Sequence, residues 1–303
     1  EQLLITNGNS QALDFICTLF TNPGDTVLVE EPSYFLALRI FADRKLNLVS
    51  IPVDDNGLVT NVLKEKLEIL KPSFLYTIPT YHNPSSVTLS LKRREDLVKI
   101  CAQNDLLVVA DEVYPFLNYS DDPPPPMGNW IDTCPLISLG SFSKILAPGL
   151  RLGWMHTNVV LIKKMAKAGL LDSGGGFNPF TSEIVNSVIS LGLLNTHIQR
   201  LKKVYAQRLE IFCHQLRMNL PKQAEFKIPK GGYFIWVKLP DNMDAQSLRK
   251  AAQKQNVDFN HGALFSHKKG LKNYIRLSFA FYDEEVLAEG AQRLGKVILE
   301  NLS

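Results

Sequence analysis

Short β-rich apolar runs alternate with longer amphipathic segments in this chain, and that alternation leaves few folds open. Ala12, Leu13, Phe15, Ile16, Leu19 and Phe20 recur at helical spacing, so a helix is predicted there, stopped by the Pro23-Gly24-Asp25 turn. Thr26 to Val29 then reads as a strand, Leu63 to Leu70 as a helix, Phe74 to Ile78 as a strand, and Leu91 to Asn104 as a helix before the apolar run Leu106 to Ala110. Strands separated by helices join through crossovers, which makes the sheet parallel and covers both of its faces. The expected class is α/β, a mostly parallel sheet in three layers with helices on both sides.

A second region differs in texture. Asp121 to Pro126 ends in four successive prolines, which lack donors and lock φ, so it should be an exposed loop. Thr181 to Leu220 is mostly helical in pattern, and a long connecting helix is expected there. Beyond Pro221 come a Gly231-Gly232 break, a strand over Tyr233 to Leu239, a helix near Ala245 to Lys254 and a strand near Tyr274 to Phe279. We therefore expect a large domain over residues 1–205 and a smaller α+β domain over residues 206–303, which a chain of 303 residues can accommodate.

Composition excludes several function classes. Lysine and arginine total 33 against 30 acidic residues, and basic pairs such as Lys163-Lys164 and Lys268-Lys269 are scattered, so nucleic acid is not an expected partner. No apolar stretch approaches the roughly 20 residues of a membrane span. Cys17, Cys101, Cys134 and Cys213 lie far apart without C-x-x-C spacing, which argues against a metal site or disulfide framework and for a reducing, cytoplasmic setting.

The segment carrying most chemistry is Ser138-Leu-Gly-Ser-Phe-Ser-Lys-Ile-Leu-Ala-Pro-Gly-Leu-Arg-Leu-Gly-Trp154, where one lysine sits among small hydroxyl residues with an arginine seven positions later. It resembles the cofactor-binding motif of fold-type I aminotransferases, which use pyridoxal 5′-phosphate (PLP), and the overall texture resembles their 2-aminoadipate and aromatic branch. The resemblance makes Lys144 the lysine bonded to PLP as an imine, with Ser141, Ser143 and Arg151 on the cofactor phosphate through charge-assisted hydrogen bonds.

A second segment, Leu106-Leu-Val-Val-Ala110, delivers Asp111-Glu112-Val113-Tyr114 to the carboxyl end of an expected parallel strand, where open α/β sheets place ligands. A carboxylate there can pair with the pyridine nitrogen, and the resemblance gives that role to Asp111 and a hydrogen bond to the phenolic oxygen to Tyr114. An apolar run ending in Asp-Glu also imitates the Walker B strand, but the partner loop G-x-x-x-x-G-K-[ST] does not occur in the sequence.

Further sites follow the family's order. Asn9, Ser10 and Gln11 open the first helix and can offer amides and side chains to a phosphate. Tyr34, in Glu31-Pro-Ser-Tyr34, matches the ring that lies on the cofactor. Asn83, in Tyr81-His-Asn-Pro84, matches the second donor to the phenolic oxygen. Arg276, in Asn273-Tyr-Ile-Arg-Leu-Ser-Phe279, matches the clamp on the substrate α-carboxylate, for which a planar guanidinium is suited. Tyr233, after Gly231-Gly232, matches a segment on the substrate side.

The resemblance implies ping-pong transamination between an L-amino acid and a 2-oxo acid, in a homodimer. Two other readings of the same fold stay open: a PLP lyase or synthase, and the PLP-sensing domain of a transcription regulator. Two departures are visible. Family members carry a segment with an arm ahead of the phosphate loop, whereas the loop here lies almost at the first residue, and His261-Gly262 stands where Pro-Gly is frequent.

Overall fold

The computed structural model describes residues 1–174 and 176–302. The large sheet comprises β1 (Leu3–Thr6), β2 (Thr26–Glu31), β3 (Asn47–Asp54), β4 (Gly57–Leu58), β5 (Phe74–Thr77), β6 (Leu107–Asp111), β7 (Leu136–Ser141) and β8 (Gly153–Thr157). Their spatial order is β1-β8-β7-β6-β5-β2-β3-β4, and the central run β3-β2-β5-β6-β7 is parallel throughout. Among the described residues, antiparallel pairings in this sheet occur only toward the ends, at β7-β8, β1-β8 and β3-β4. Helices α1 (Asn9–Phe20), α2 (Phe35–Asp43), α3 (Thr60–Ile69) and α4 (Leu91–Gln103) supply the first crossovers, and α5 (Val159–Ala166), α6 (Gly169–Asp172) and α7 (Pro179–Ser190) follow β8.

The parallel strands read as unbroken apolar runs because both faces are covered. Val27, Val29, Tyr76 and Val109 pack on one side with α1 and α2, whereas Leu28, Leu75, Val108 and Ala110 pack on the other with Leu63 of α3 and Leu97 of α4. This is the α/β, helix-covered sheet the sequence led us to expect.

Helix α8 (Leu193–Asn219) begins after Gly192, whose φ of 69° lets the chain turn between two helices. The boundary expected between residues 205 and 206 falls inside this continuous helix. Its first half contributes Ile198 to a cluster with Tyr81 and Tyr114, and its second half contributes Leu209, Phe212 and Leu216 to the core of the small sheet. That sheet is antiparallel, ordered β11 (Asn260–His261), β12 (Tyr274–Ser278), β10 (Phe234–Lys238) and β9 (Glu225–Phe226), and α9 (Ala245–Lys254) and α10 (Glu284–Glu300) complete the layer.

The end of β6 carries two buried carboxylates facing opposite ways. Glu112 lies on the α4 side, accepting from Met127 N at 2.9 Å, Gly128 N at 3.3 Å and Ser138 Oγ at 2.6 Å, with the Arg94 guanidinium 3.8 Å away. Arg94, itself wholly buried, donates to the carbonyls of Pro79, Leu89 and Pro125 and to Thr80 Oγ1. Burial pushes the Glu112 carboxyl up and pulls Arg94 down to about 10, so neither charge is comfortable without the other. Glu112→Ala should therefore cost about 3–5 kcal/mol in urea unfolding, because it strands a buried cation and three donors.

Candidate active site

Asp111 projects from the other face of the strand end, into a cavity of about 220 Å³ at the carboxyl edge of the sheet. Most of the residues singled out from the sequence line this cavity: Asn9, Ser10, Tyr34, Asn83, Asp111, Tyr114, Ser141, Ser143, Lys144, Arg151 and Arg276. Gln11 and Tyr233 do not. Gln11 accepts from Asn7 N at 3.2 Å, and the Tyr233 hydroxyl donates to the Lys144 carbonyl at 2.7 Å.

One end of the cavity suits a dianion. The amides of Asn9, Ser10 and Gln11 open α1, a position that leaves helix N–H groups without intrahelical acceptors. Arg151 lies across this end, in the left-handed region at φ 49°, with Nη1 3.5 Å from Ser143 Oγ. Gly8 makes room for it, since a Cβ there would stand 2.8 Å from Arg151 Nη2. Ser141 Oγ accepts from Ser143 N at 3.1 Å, which fixes the turn that follows β7.

At the floor, both Asp111 oxygens are occupied: Asn9 Nδ2 donates to Oδ1 at 2.6 Å and the Tyr76 hydroxyl donates to Oδ2 at 2.7 Å. Here the geometry adds to the sequence reading, because the Asn9 side chain serves the carboxylate and only its amide is left for a phosphate. Burial pushes the Asp111 carboxyl up, while the two donors and the Lys144 charge pull it back. Lys144 extends from the turn after β7, with Nζ 5.5 Å from the centre of the Tyr233 ring. Burial is the main cause that holds its ammonium below the usual lysine range, reinforced by Arg276 and Arg151 and opposed by Asp111.

At the opposite end lies Arg276. Its Nη1 donates to Asn83 Oδ1 at 2.7 Å, and its guanidinium carbon stands 3.8 Å from the centre of the Phe234 ring and 4.9 Å from that of Phe265. Nε is buried without a partner, and among the described residues Arg276 makes no ion pair. A cation packed on aromatic faces with no carboxylate of its own, pulled down to about 10 chiefly by burial, is a ready donor to an incoming one.

The loop carrying Asn83 is anchored from below. Buried Glu30 accepts from Thr77 Oγ1 at 2.7 Å and Ile78 N at 2.8 Å and lies 3.1 Å from His82 Nε2, while His82 Nδ1 meets Ser85 Oγ at 2.8 Å. Sequence reading missed Tyr76, Glu30 and His82. Tyr76 alone left a signal, as a polar-tipped aromatic inside a strand that pairs with the one ending in Asp111. His261 is not among the cavity-lining residues, and Gly262 beside it is required by packing, since a Cβ would stand 2.8 Å from Tyr274 Cβ.

The donor set fits PLP: an anion site at one end, a carboxylate for a ring nitrogen, an amine for an aldehyde, and an unpaired guanidinium with the buried, unpartnered Nε. Residues 1–294 match the family model described as aminotransferase class I and II. The chain is 36% identical over 99% of its length to aromatic-amino-acid aminotransferase 1 of Thermococcus litoralis, 73% of which it covers. It is also 30% identical over 99% of its length to the uncharacterized HTH-type transcriptional regulator YdfD of Bacillus subtilis, covering 62% of that protein. Among solved structures, the Pyrococcus horikoshii kynurenine aminotransferase, in complex with PMP, superposes with a TM-score of 0.94 at 36% identity, covering 99% of this chain and 76% of that one. Matched by that family model across nearly its whole length, the chain belongs to the class I and II aminotransferases.

Proposed function

We propose that this protein exchanges the amino group of an L-amino acid, aromatic ones foremost, for the oxo group of a 2-oxo acid, in ping-pong fashion, with Lys144 as the cofactor's tether and the proton-moving base. The observation that carries the reading is the convergence of Lys144, Asp111 and Arg276 on one cavity. The aromatic preference is supported by the names of similar proteins and by the Phe35, Phe234 and Phe265 rings beside Arg276.

Bound here, pyridoxal phosphate supplies an aldehyde for the amino group and a protonated ring that withdraws electrons from the substrate Cα. Arg151, Ser141, Ser143 and the amides of Asn9, Ser10 and Gln11 would hold the phosphate. Tyr34 would flank the ring, and the Tyr114 hydroxyl and Asn83 Nδ2 would donate to the phenolic oxygen. Asp111 would pair with the ring nitrogen and favour its protonated form. Because burial disfavours its charged form, Lys144 has more free amine at neutral pH than an exposed lysine, which is what a nucleophile and base require. Held in the cavity, its Nζ would move the proton at the substrate Cα. Tyr233, outside the cavity lining, steadies this lysine through its backbone carbonyl.

Arg276 fixes the α-carboxylate. Arg276→Lys keeps the charge but loses the planar fork and its aromatic packing, so KM for the amino acid should rise about 10- to 100-fold, with kcat changed less, in steady-state assays. Within the large domain 1–205 and small domain 206–303, we assign the cofactor to the first and the carboxylate clamp to the second. Exposed Phe180 at the start of α7 and exposed Leu191 and Leu193 at the α7–α8 turn support a homodimer, and the free, buried cysteines support a cytoplasmic setting. Among the described residues, no helix is long and apolar enough to cross a membrane.

The test is spectroscopic. Protein loaded with PLP should convert to the pyridoxamine form with an aromatic amino acid and return with a 2-oxo acid. Uptake of PLP without conversion by any amino acid would favour the sensor of a transcription regulator, and conversion to products other than the oxo acid would favour a lyase.

A further inference from the structure

Tyr76 stands on β5 opposite Val109 of β6, so its side chain shares a sheet face with Asp111 two residues further along. An aromatic side chain can span such a diagonal, and the Tyr76 hydroxyl does so, donating to Asp111 Oδ2 at 2.7 Å. Its ring is fully buried and locked edge-on against Phe41, centres 5.4 Å apart at 73°. Tyr76 does not line the cavity, so whatever it does for the reaction passes through Asp111.

Resting on the reading above, we propose that Tyr76 is a positioning residue for transamination: with the Asn9 carboxamide, its hydroxyl holds Asp111 as an ionised acceptor, so that the proton shared with the cofactor's ring nitrogen rests on the nitrogen. An ionised carboxylate has about four lone-pair sites. Tyr76 takes one on Oδ2 and Asn9 one on Oδ1, which leaves one on each oxygen for the cavity side. Burial works against the arrangement, because a desolvated carboxylate is more basic and competes for the shared proton. Each donor lowers that basicity and is satisfied only while the oxygen it faces accepts. Burial and the Asp111 charge hold the Tyr76 phenol well above its ordinary range, so it stays a donor throughout the neutral region.

The experiment is Tyr76→Phe, which keeps the ring packing and removes only the hydroxyl, loaded with PLP carrying ¹⁵N in its ring. Its nitrogen resonance should move toward the unprotonated pyridine position relative to wild type, and the half-reaction with an amino acid should slow about tenfold, as expected for losing a hydrogen bond to a charged group. Cofactor affinity, set mainly at the phosphate end, should hold. Asn9→Ala removes the other donor and should move the same resonance in the same direction. An unmoved nitrogen signal in either loaded variant overturns the proposal while leaving the aminotransferase reading intact. Wild-type protein that takes up no PLP would overturn that reading itself, and this inference with it.

Discussion

Replacing Lys144 by alanine should reduce transamination at least about 10⁴-fold, the combined loss of a covalent tether and a general base. The variant should fold normally. Lys144 is a largely buried amine whose charged form is disfavoured, and among the described residues its side chain makes no hydrogen bond or ion pair that holds elements together, so unfolding in urea should shift little. Kinetics and unfolding thus separate: a matching loss of both would mean that Lys144 supports structure rather than chemistry. Single-turnover mixing of the PLP-loaded variant with an amino acid measures the chemical step apart from cofactor affinity, which Arg151 and the serine hydroxyls should largely preserve.

Asp111→Asn should slow the same half-reaction about 10²- to 10³-fold, the range for removing one partner of a buried, hydrogen-bonded charge pair. The substitution keeps the shape but removes the charge that favours a protonated ring nitrogen. It also turns an NH₂ group toward one of the two donors now satisfied by the carboxylate, Asn9 Nδ2 and the Tyr76 hydroxyl. KM for the amino acid should change less than kcat, since Arg276 sits at the other end of the cavity. Rapid-mixing rates for Asp111→Asn beside wild type give the comparison.

Much of this was legible in the residues, for identifiable reasons. Buried parallel strands must be apolar on both faces, so β2, β5 and β6 stood out as runs bounded by turns. Helices α4 and α9 were found nearly to the residue because each starts on a side-chain cap, Ser90 and Asp244, and in α9 the two faces also differ sharply in polarity. The edge pair β1 and β8 was not read, since four- and five-residue segments such as Gly-Trp-Met-His-Thr carry no clear period. Helix α2 was missed because Phe35, Leu36, Ala37, Leu38, Ile40 and Phe41 form an apolar block without a polar face wide enough to mark it.

The site divides in the same way. Lys144 and Arg151 lie within one short segment, so a local motif could hold them. Arg276 belongs to a distant strand, and its unpaired state depends on Phe234, Phe265 and Asn83 arriving from three other segments. Tyr76 could not be assigned from its neighbours in sequence, because its partner Asp111 is 35 residues away and only the parallel register of β5 and β6 joins them.

The central claim is that one particular amine carries the cofactor. Purified protein should be incubated with PLP, treated with borohydride, digested and mapped by mass spectrometry. The account requires a phosphopyridoxyl group on the peptide containing Lys144, at near-unit occupancy, and its absence from Lys144→Ala. Label spread over exposed lysines such as Lys163 and Lys268, or located at any single lysine other than 144, would contradict it.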